Sequence, residues 1–289
     1  MTTSKTMYLP AAAAGTITLG GDLVVNRMGF GAMRLTGPGI WGPPRDRAEA
    51  VRVLQRAVEL GVNFFDTADS YGPHIAEELI AEALHPYPGL VIATKAGLER
   101  PGPDRWVENG RPEYLRRQLE GSLRRLKLER IDLWQLHRID PKVPAQEQFE
   151  VAREFQREGL VRHVGLSEVS VDDIERARRV LPIVSVQNRY NVTDRKWDPE
   201  VDYCEREGMA FVPWFPLSAG TLNAPQLHQV AKRHGATLFQ IALAWLLARS
   251  PAMLVIPGTS SVDHLAENVA AAEIGLSVRD IKELESLAK

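Results

Sequence analysis

Hydrophobic residues along this chain fall into two alternating kinds of segment: amphipathic, charge-rich stretches of helical period and short apolar runs of strand length. The stretches at 47–60, 146–158 and 199–207 each end at a glycine (Gly61, Gly159 and Gly208), which suits the left-handed residue that closes a helix. The apolar runs 62–65, 160–166 and 209–214 follow them. Four more pairs continue the pattern: 76–84 before 90–93, 113–126 before 131–136, 172–181 before 183–186, and 225–250 before 253–256. With 25–30 as the first strand, the pattern predicts eight strands alternating with helices.

Strands that are almost continuously apolar belong to a parallel sheet covered on both faces, and each connection here is long enough for a helix. The chain has no linker rich in Pro, Gly or Ser and no mid-chain change in composition, so residues 1–289 read as one domain. The alternation favours a closed (β/α)8 TIM barrel of class α/β over an open doubly wound sheet. Residues 16–24 read as an N-terminal β-hairpin turning at Gly20, Gly21 and Asp22. Residues 1–14 read as a flexible N-terminus, and 36–46, 97–112 and 216–225 as long loops.

Composition narrows the partners. With 35 basic and 37 acidic residues the formal charge is −2, which argues against nucleic acid or an anionic membrane as the main partner. No run approaches the roughly 20 apolar residues of a membrane span. The segment 7–14 has only Lys5 as a positive flank and is interrupted by Pro10, so it does not read as a signal peptide. The single cysteine, Cys204, excludes an intrachain disulfide and a cysteine zinc cluster; no metal site is indicated, and a cytoplasmic protein is expected. Cys204 itself reads as a packing residue.

In a barrel, catalytic side chains come from the C-terminal ends of different strands. Here Phe64-Phe65 ends in Asp66, the run 91–94 ends in Lys95, and the run 133–136 ends in His137, while Tyr71 stands on the loop after Asp66. A barrel gathers all four at one mouth. Together they make sense if the phenol is an acid that protonates a developing alkoxide, with Lys95 favouring phenolate and so lowering its pKa, Asp66 countering Lys95, and His137 polarising a carbonyl.

These segments, Asp66-Thr67-Ala68-Asp69-Ser70-Tyr71-Gly72, Ala93-Thr94-Lys95 and Leu136-His137, resemble the Asp, Tyr, Lys, His tetrad of the aldo-keto reductases. The resemblance runs from Met28-Gly29-Phe30-Gly31 through Val164-Gly165-Leu166-Ser167 and Gln187-Asn188-Arg189-Tyr190-Asn191 to Ile256-Pro257-Gly258-Thr259-Ser260-Ser261. It implies an oxidoreductase in which NADP(H) delivers hydride to an aldehyde or ketone while Tyr71 protonates the oxygen. It also implies that Ser167 and Gln187 hold the nicotinamide carboxamide and that Trp214 stacks on the ring. Pro216, Leu217, Ile256, Gly258, Thr259, Ser260 and His264 would line the rest of the cofactor, with Glu267 and Asn268 at the adenine. Two departures stand out. Glu168 replaces the usual Asn after the serine, and Gly258 and His264 replace the usual Lys and Arg at the 2′-phosphate, which leaves NAD(H) open beside NADP(H).

Two rival functions share these residues: a barrel lyase in which Lys95 forms a Schiff base, and a regulatory protein of the same fold that binds the nicotinamide cofactor without turnover. The substrate, a small carbonyl compound, depends on the three long loops, with Trp41, Trp106 and Phe30 as candidate walls. The oligomeric state and the working direction are not written in the sequence.

Overall fold

The computed structural model describes residues 9–217 and 222–287. A short 3-10 helix, Pro10–Ala14, leads into a hairpin of β1 (Thr16–Leu19) and β2 (Leu23–Asn26). There follow β3 (Phe30–Gly31), α1 (Arg47–Glu59), β4 (Phe64–Asp66), α2 (Ile75–Leu84), β5 (Val91–Ala96), a second hairpin of β6 (Leu98–Gly102) and β7 (Arg105–Glu108), α3 (Pro112–Leu126) and β8 (Ile131–Leu136). The chain continues through α4 (Ala145–Arg157), β9 (Val161–Ser167), α5 (Val171–Arg178), β10 (Ser185–Gln187), α6 (Asp198–Glu207) and β11 (Ala210–Phe211). It ends in α7 (Pro225–His234), α8 (Leu238–Arg249), α9 (Val262–Ala270) and α10 (Val278–Glu285).

Seven strands pair in parallel in the order β3-β4-β5-β8-β9-β10-β11. Residues 253–256 fill the eighth place and close the barrel: Met253 bridges Phe211, Val255 bridges Met28, and Val255 N donates to Arg27 O at 2.9 Å. The closing edges approach so tightly that a Cβ on Gly258 would lie 2.5 Å from Gly31 O. The barrel interior is filled by Phe64, Val91, Ala93, Leu133, Val184, Ala210, Val212, Leu254 and Ile256, and the first hairpin adds Leu19, Leu23 and Val25 to that cluster. Residues of the other parity, such as Phe65, Ile92 and Trp134, pack among the helices. The layering is that of a closed α/β barrel, in which alternate side chains face in and out.

The helices follow local signals. The Asp46 side chain accepts from Glu49 N to start α1, whose Ala50, Val53, Leu54 and Ala57 form the buried stripe. Reciprocal Ser170/Asp173 and Thr237/Gln240 caps open α5 and α8. Cys204 is buried in the core, and burial pushes its thiol pKa up, in keeping with a packing role. Among the described residues no helix is long and apolar enough to cross a membrane.

Four expectations are corrected. Val25 belongs to the hairpin, and the first barrel segment begins at Met28. The flexible N-terminus does not extend to residue 14, because Ala11 is fully buried and its N–H donates to Leu60 O; residues 1–8 lie outside the described residues. The stretch 225–250 is two helices, since Gly235 adopts a left-handed φ of 60° and ends α7. The loop 97–112 carries the β6-β7 hairpin.

Candidate active site

Strand parity builds the mouth. Asp66 shares the inward side of β4 with Phe64, Lys95 that of β5 with Val91 and Ala93, and His137 follows Leu133 and Gln135 off the end of β8. Polar groups therefore top three apolar columns. Tyr71 arrives on the loop after β4, which turns into α2 at Gly72. There φ is +105°, and a Cβ would sit 2.4 Å from that of Ile75, so a side chain at 72 would disturb the turn that places Tyr71.

Lys95 is fully buried and its ammonium has three acceptors for its three N–H groups: Asp66 Oδ2 at 2.6 Å, Thr67 O at 2.8 Å and Tyr71 Oη at 3.2 Å. Burial works against its charge, but Asp66 and Tyr71 more than offset that and raise its pKa. The other Asp66 oxygen accepts from Gln135 Nε2 at 3.1 Å and Gln187 Nε2 at 2.9 Å. An ammonium whose charged form is favoured, whose three N–H groups are all bonded and which does not line the cavity is unsuited to the Schiff-base reading of Lys95.

Burial is the largest influence on Tyr71, and it raises the phenol's pKa in spite of Lys95. The expectation that Lys95 brings it down overall is therefore corrected: desolvation of the phenolate outweighs the neighbouring cation. His137, 6% exposed, is held well below its ordinary pKa, first by burial and then by Lys95, Arg138 and Arg100. Its imidazole is neutral. Ser70 Oγ lies 3.4 Å from Nδ1. Tyr71, His137 and Trp106 meet edge to face with ring centroids 6.0 to 6.4 Å apart.

These groups open onto a cavity of about 610 Å³ that Asp66, Tyr71, His137, Ser167, Gln187, Trp214, Pro216, Leu217, Ile256 and Gly258 line, with Trp106 as a wall. A second groove of about 1260 Å³ is lined by Leu217, Gly258, Thr259, Ser260, His264, Glu267 and Asn268. The two share Met33, Arg34, Ile40, Asp104, Leu217 and Gly258. Every expected site residue except Lys95 thus faces one of two adjoining cavities, and Lys95 stands directly behind Tyr71.

Particular placements differ from expectation. Phe30 is fully buried against Phe65 and is no pocket wall, since its strand position points it among the helices. Trp41 is drawn to Arg100, whose guanidinium also covers Trp106 at 3.7 Å. Glu267 accepts from Thr237 Oγ1 at 2.6 Å. Glu168 is occupied: one carboxylate oxygen accepts from Trp214 Nε1 and from Arg189 N, both at 2.6 Å, which fixes the indole at the cavity wall. Sequence reasoning missed Arg138 and Ser70. The only signal for Arg138 was a cation next to His137 at a strand end.

Known proteins resemble the chain over nearly its whole length. The model of the aldo/keto reductase family matches residues 27–289. An uncharacterised oxidoreductase of Schizosaccharomyces pombe is 53% identical, covering 99% of this chain and 94% of its own. Pyridoxine 4-dehydrogenase of Escherichia coli is 44% identical, covering 96% and 99%. Among solved structures, an aldo-keto reductase of Klebsiella pneumoniae in complex with NADPH superposes with a TM-score of 0.80 at 25% identity, covering 94% of each chain.

Proposed function

Because the chain belongs to the aldo/keto reductase family of oxidoreductases, we propose that it reduces an aldehyde or ketone with NADPH, with Tyr71 as the proton donor. The observation that carries this reading is the direction of the Tyr71 hydroxyl. Lys95 can only donate, so Tyr71 Oη accepts from it, and the phenolic proton is left to point elsewhere, into the cavity that Tyr71 lines.

The groove suits the dinucleotide. Asn268 is 5% exposed and its side-chain amide has no partner among the described residues. Thr259 and Ser260 supply hydroxyls ahead of the N-terminus of α9, where backbone N–H groups favour an anion. Trp214, held by Glu168, offers a flat face to a ring, and Ser167 and the Gln187 carbonyl stand nearby to hold the carboxamide. When bound, NADPH supplies the hydride. The Klebsiella relative, which holds NADPH, supports the cofactor choice.

The protein's own groups do the rest. His137, neutral and steadied at Nδ1 by Ser70, presents its other nitrogen to the carbonyl oxygen. Tyr71 gives that oxygen its proton as charge builds there. Lys95 stabilises the phenolate left behind, and Asp66 with its two glutamines keeps the ammonium in place. The aromatic walls exclude water and fit a flat substrate. The name of the Escherichia coli relative makes pyridoxal the first carbonyl to try, to be reduced to pyridoxine. The test is NADPH oxidation by purified protein with pyridoxal and activated benzaldehydes. Turnover supports the reading, and tight NADPH binding without turnover over a broad carbonyl panel would overturn it in favour of a regulatory role.

A further inference from the structure

We propose that Arg138 selects carbonyl substrates bearing a second, anionic group, such as a carboxylate, phosphate or ionised phenol; this specificity rests on the reductase reading above. Arg138 follows His137 directly and lines the catalytic cavity. Its Nη1 donates to Ser167 Oγ at 2.9 Å and to His137 O at 2.5 Å, which fixes the plane of the guanidinium. Among the described residues Nε and Nη2 donate to nothing and this side chain forms no salt bridge; its hydrogen bonds are made by Nη1. A planar fork of charged donors is thus held open at the wall of a small cavity, the geometry that suits a carboxylate or phosphate.

The surroundings sharpen the assignment. The other cation on the cavity, Arg34, is exposed at the rim shared with the long groove, so Arg138 is the inner positive group. Glu168 and Glu108 favour the Arg138 charge without reaching ion-pair distance, and one Glu168 oxygen is engaged by Trp214 and the Arg189 backbone. Asp104 and Glu108 also line the cavity. The Arg138 charge lowers the pKa of both Tyr71 and His137, which puts the guanidinium within electrostatic reach of the reacting atoms. Tyr71, Trp106 and Trp214 wall the space between, so an aromatic ring carrying an aldehyde at one end and an anion at the other spans the two sites.

The experiment compares para-carboxybenzaldehyde with its neutral isostere para-carbamoylbenzaldehyde in the wild type, Arg138→Gln and Arg138→Lys. The readout is the ratio of kcat/KM for the two aldehydes, to which any uniform change in NADPH binding through Ser167 contributes nothing. The wild type should favour the carboxylate by about tenfold or more, the worth of a charge-assisted hydrogen bond. Arg138→Gln should bring the ratio near unity, and Arg138→Lys should recover part of it, because a lysine restores charge without the fork. An equal ratio in the wild type and Arg138→Gln overturns the proposal. A second readout needs no turnover: binding of para-(hydroxymethyl)benzoate against its amide to the protein–NADP+ complex, followed by tryptophan fluorescence. If no aldehyde is reduced, the reductase reading fails, while loss of the benzoate preference in Arg138→Gln still supports the anion site and an unchanged preference removes it.

Discussion

Replacing Tyr71 by Phe deletes one oxygen and keeps the ring that packs edge-on against Trp106 and His137. Lys95 loses its acceptor at 3.2 Å and keeps Asp66 at 2.6 Å and Thr67 O at 2.8 Å, so one N–H of a buried ammonium goes unpaired. That costs about 1–3 kcal/mol of stability, too little to unfold a chain of this size but visible in Tm. The chemical step loses much more. A positioned general acid contributes about 10²–10⁴ in rate, or about 3–5 kcal/mol of barrier. Single-turnover reduction should therefore fall by that factor, while NADPH affinity, read by quenching of tryptophan fluorescence, should change by less than about threefold, since only transition-state stabilisation is removed. Turnover within about tenfold of the wild type would remove Tyr71 as the proton donor and leave the family without its expected acid in this chain. Loss of NADPH binding along with activity would mean that the hydroxyl shapes the cavity rather than supplying a proton.

His137 sits well below its ordinary value and Tyr71 above its own, so both keep their neutral forms through neutral pH; reduction rates should show no step near about 6.5, the unperturbed histidine value, and a clear histidine inflection in single-turnover data would contradict the neutral imidazole. Gly258→Ala places a Cβ 2.5 Å from Gly31 O at the barrel's closing edge, and overpacking of about 1–3 kcal/mol should lower Tm by about 2–6 °C; an unchanged Tm would show that the edge yields. His264→Arg, in the exposed first turn of α9, should raise the NADPH-to-NADH preference by about fivefold, as a screened surface pair is worth up to about 1 kcal/mol; an unaltered ratio would place the 2′-phosphate elsewhere.

The barrel and the strand-end groups Asp66, Lys95 and His137 were legible because they depend on strand period, while Tyr71, on a loop, was legible through its place in the segment 66–72. An apolar run that ends in a titratable residue states which side that residue faces, and Asp66, Lys95 and His137 each continue an inward column. The same rule, applied to Phe30, would have put it among the helices, where it lies, instead of at the pocket wall. Features made by loop geometry were not legible. The β6-β7 hairpin, the break at Gly235 and the partnering of Trp214 by Glu168 all depend on contacts between segments far apart in the chain. The sequence showed Glu168 as a departure from the family's asparagine, and only its 2.6 Å contact with the indole explains it: a tryptophan in this place has an N–H to satisfy, and a carboxylate satisfies it more strongly than an amide. Gly258 is similar. It looked like the loss of a phosphate-binding lysine, yet the approach of Gly31 leaves no room for any side chain in this barrel.

A buried ion pair is weak evidence for stability, because removing two charges from water costs as much as their attraction returns. On the proposed reading, Lys95 and Asp66, 0% and 2% exposed, serve the reaction rather than brace the fold. Gln135 and Gln187 both serve Asp66, Thr67 O serves Lys95, and together they hold the pair so that its cation lies against one phenol oxygen. Asp66 is countered, Lys95 is saturated with acceptors and His137 is neutral. Of the four groups, Tyr71 alone keeps a dissociable O–H directed away from its partners. In the proposed mechanism, burial keeps that proton on the phenol until a developing oxyanion appears, and Lys95 makes the resulting phenolate tolerable once the proton has gone. On the proposed mechanism, the fold carries a costly ion pair at its mouth so that one proton is available at one place.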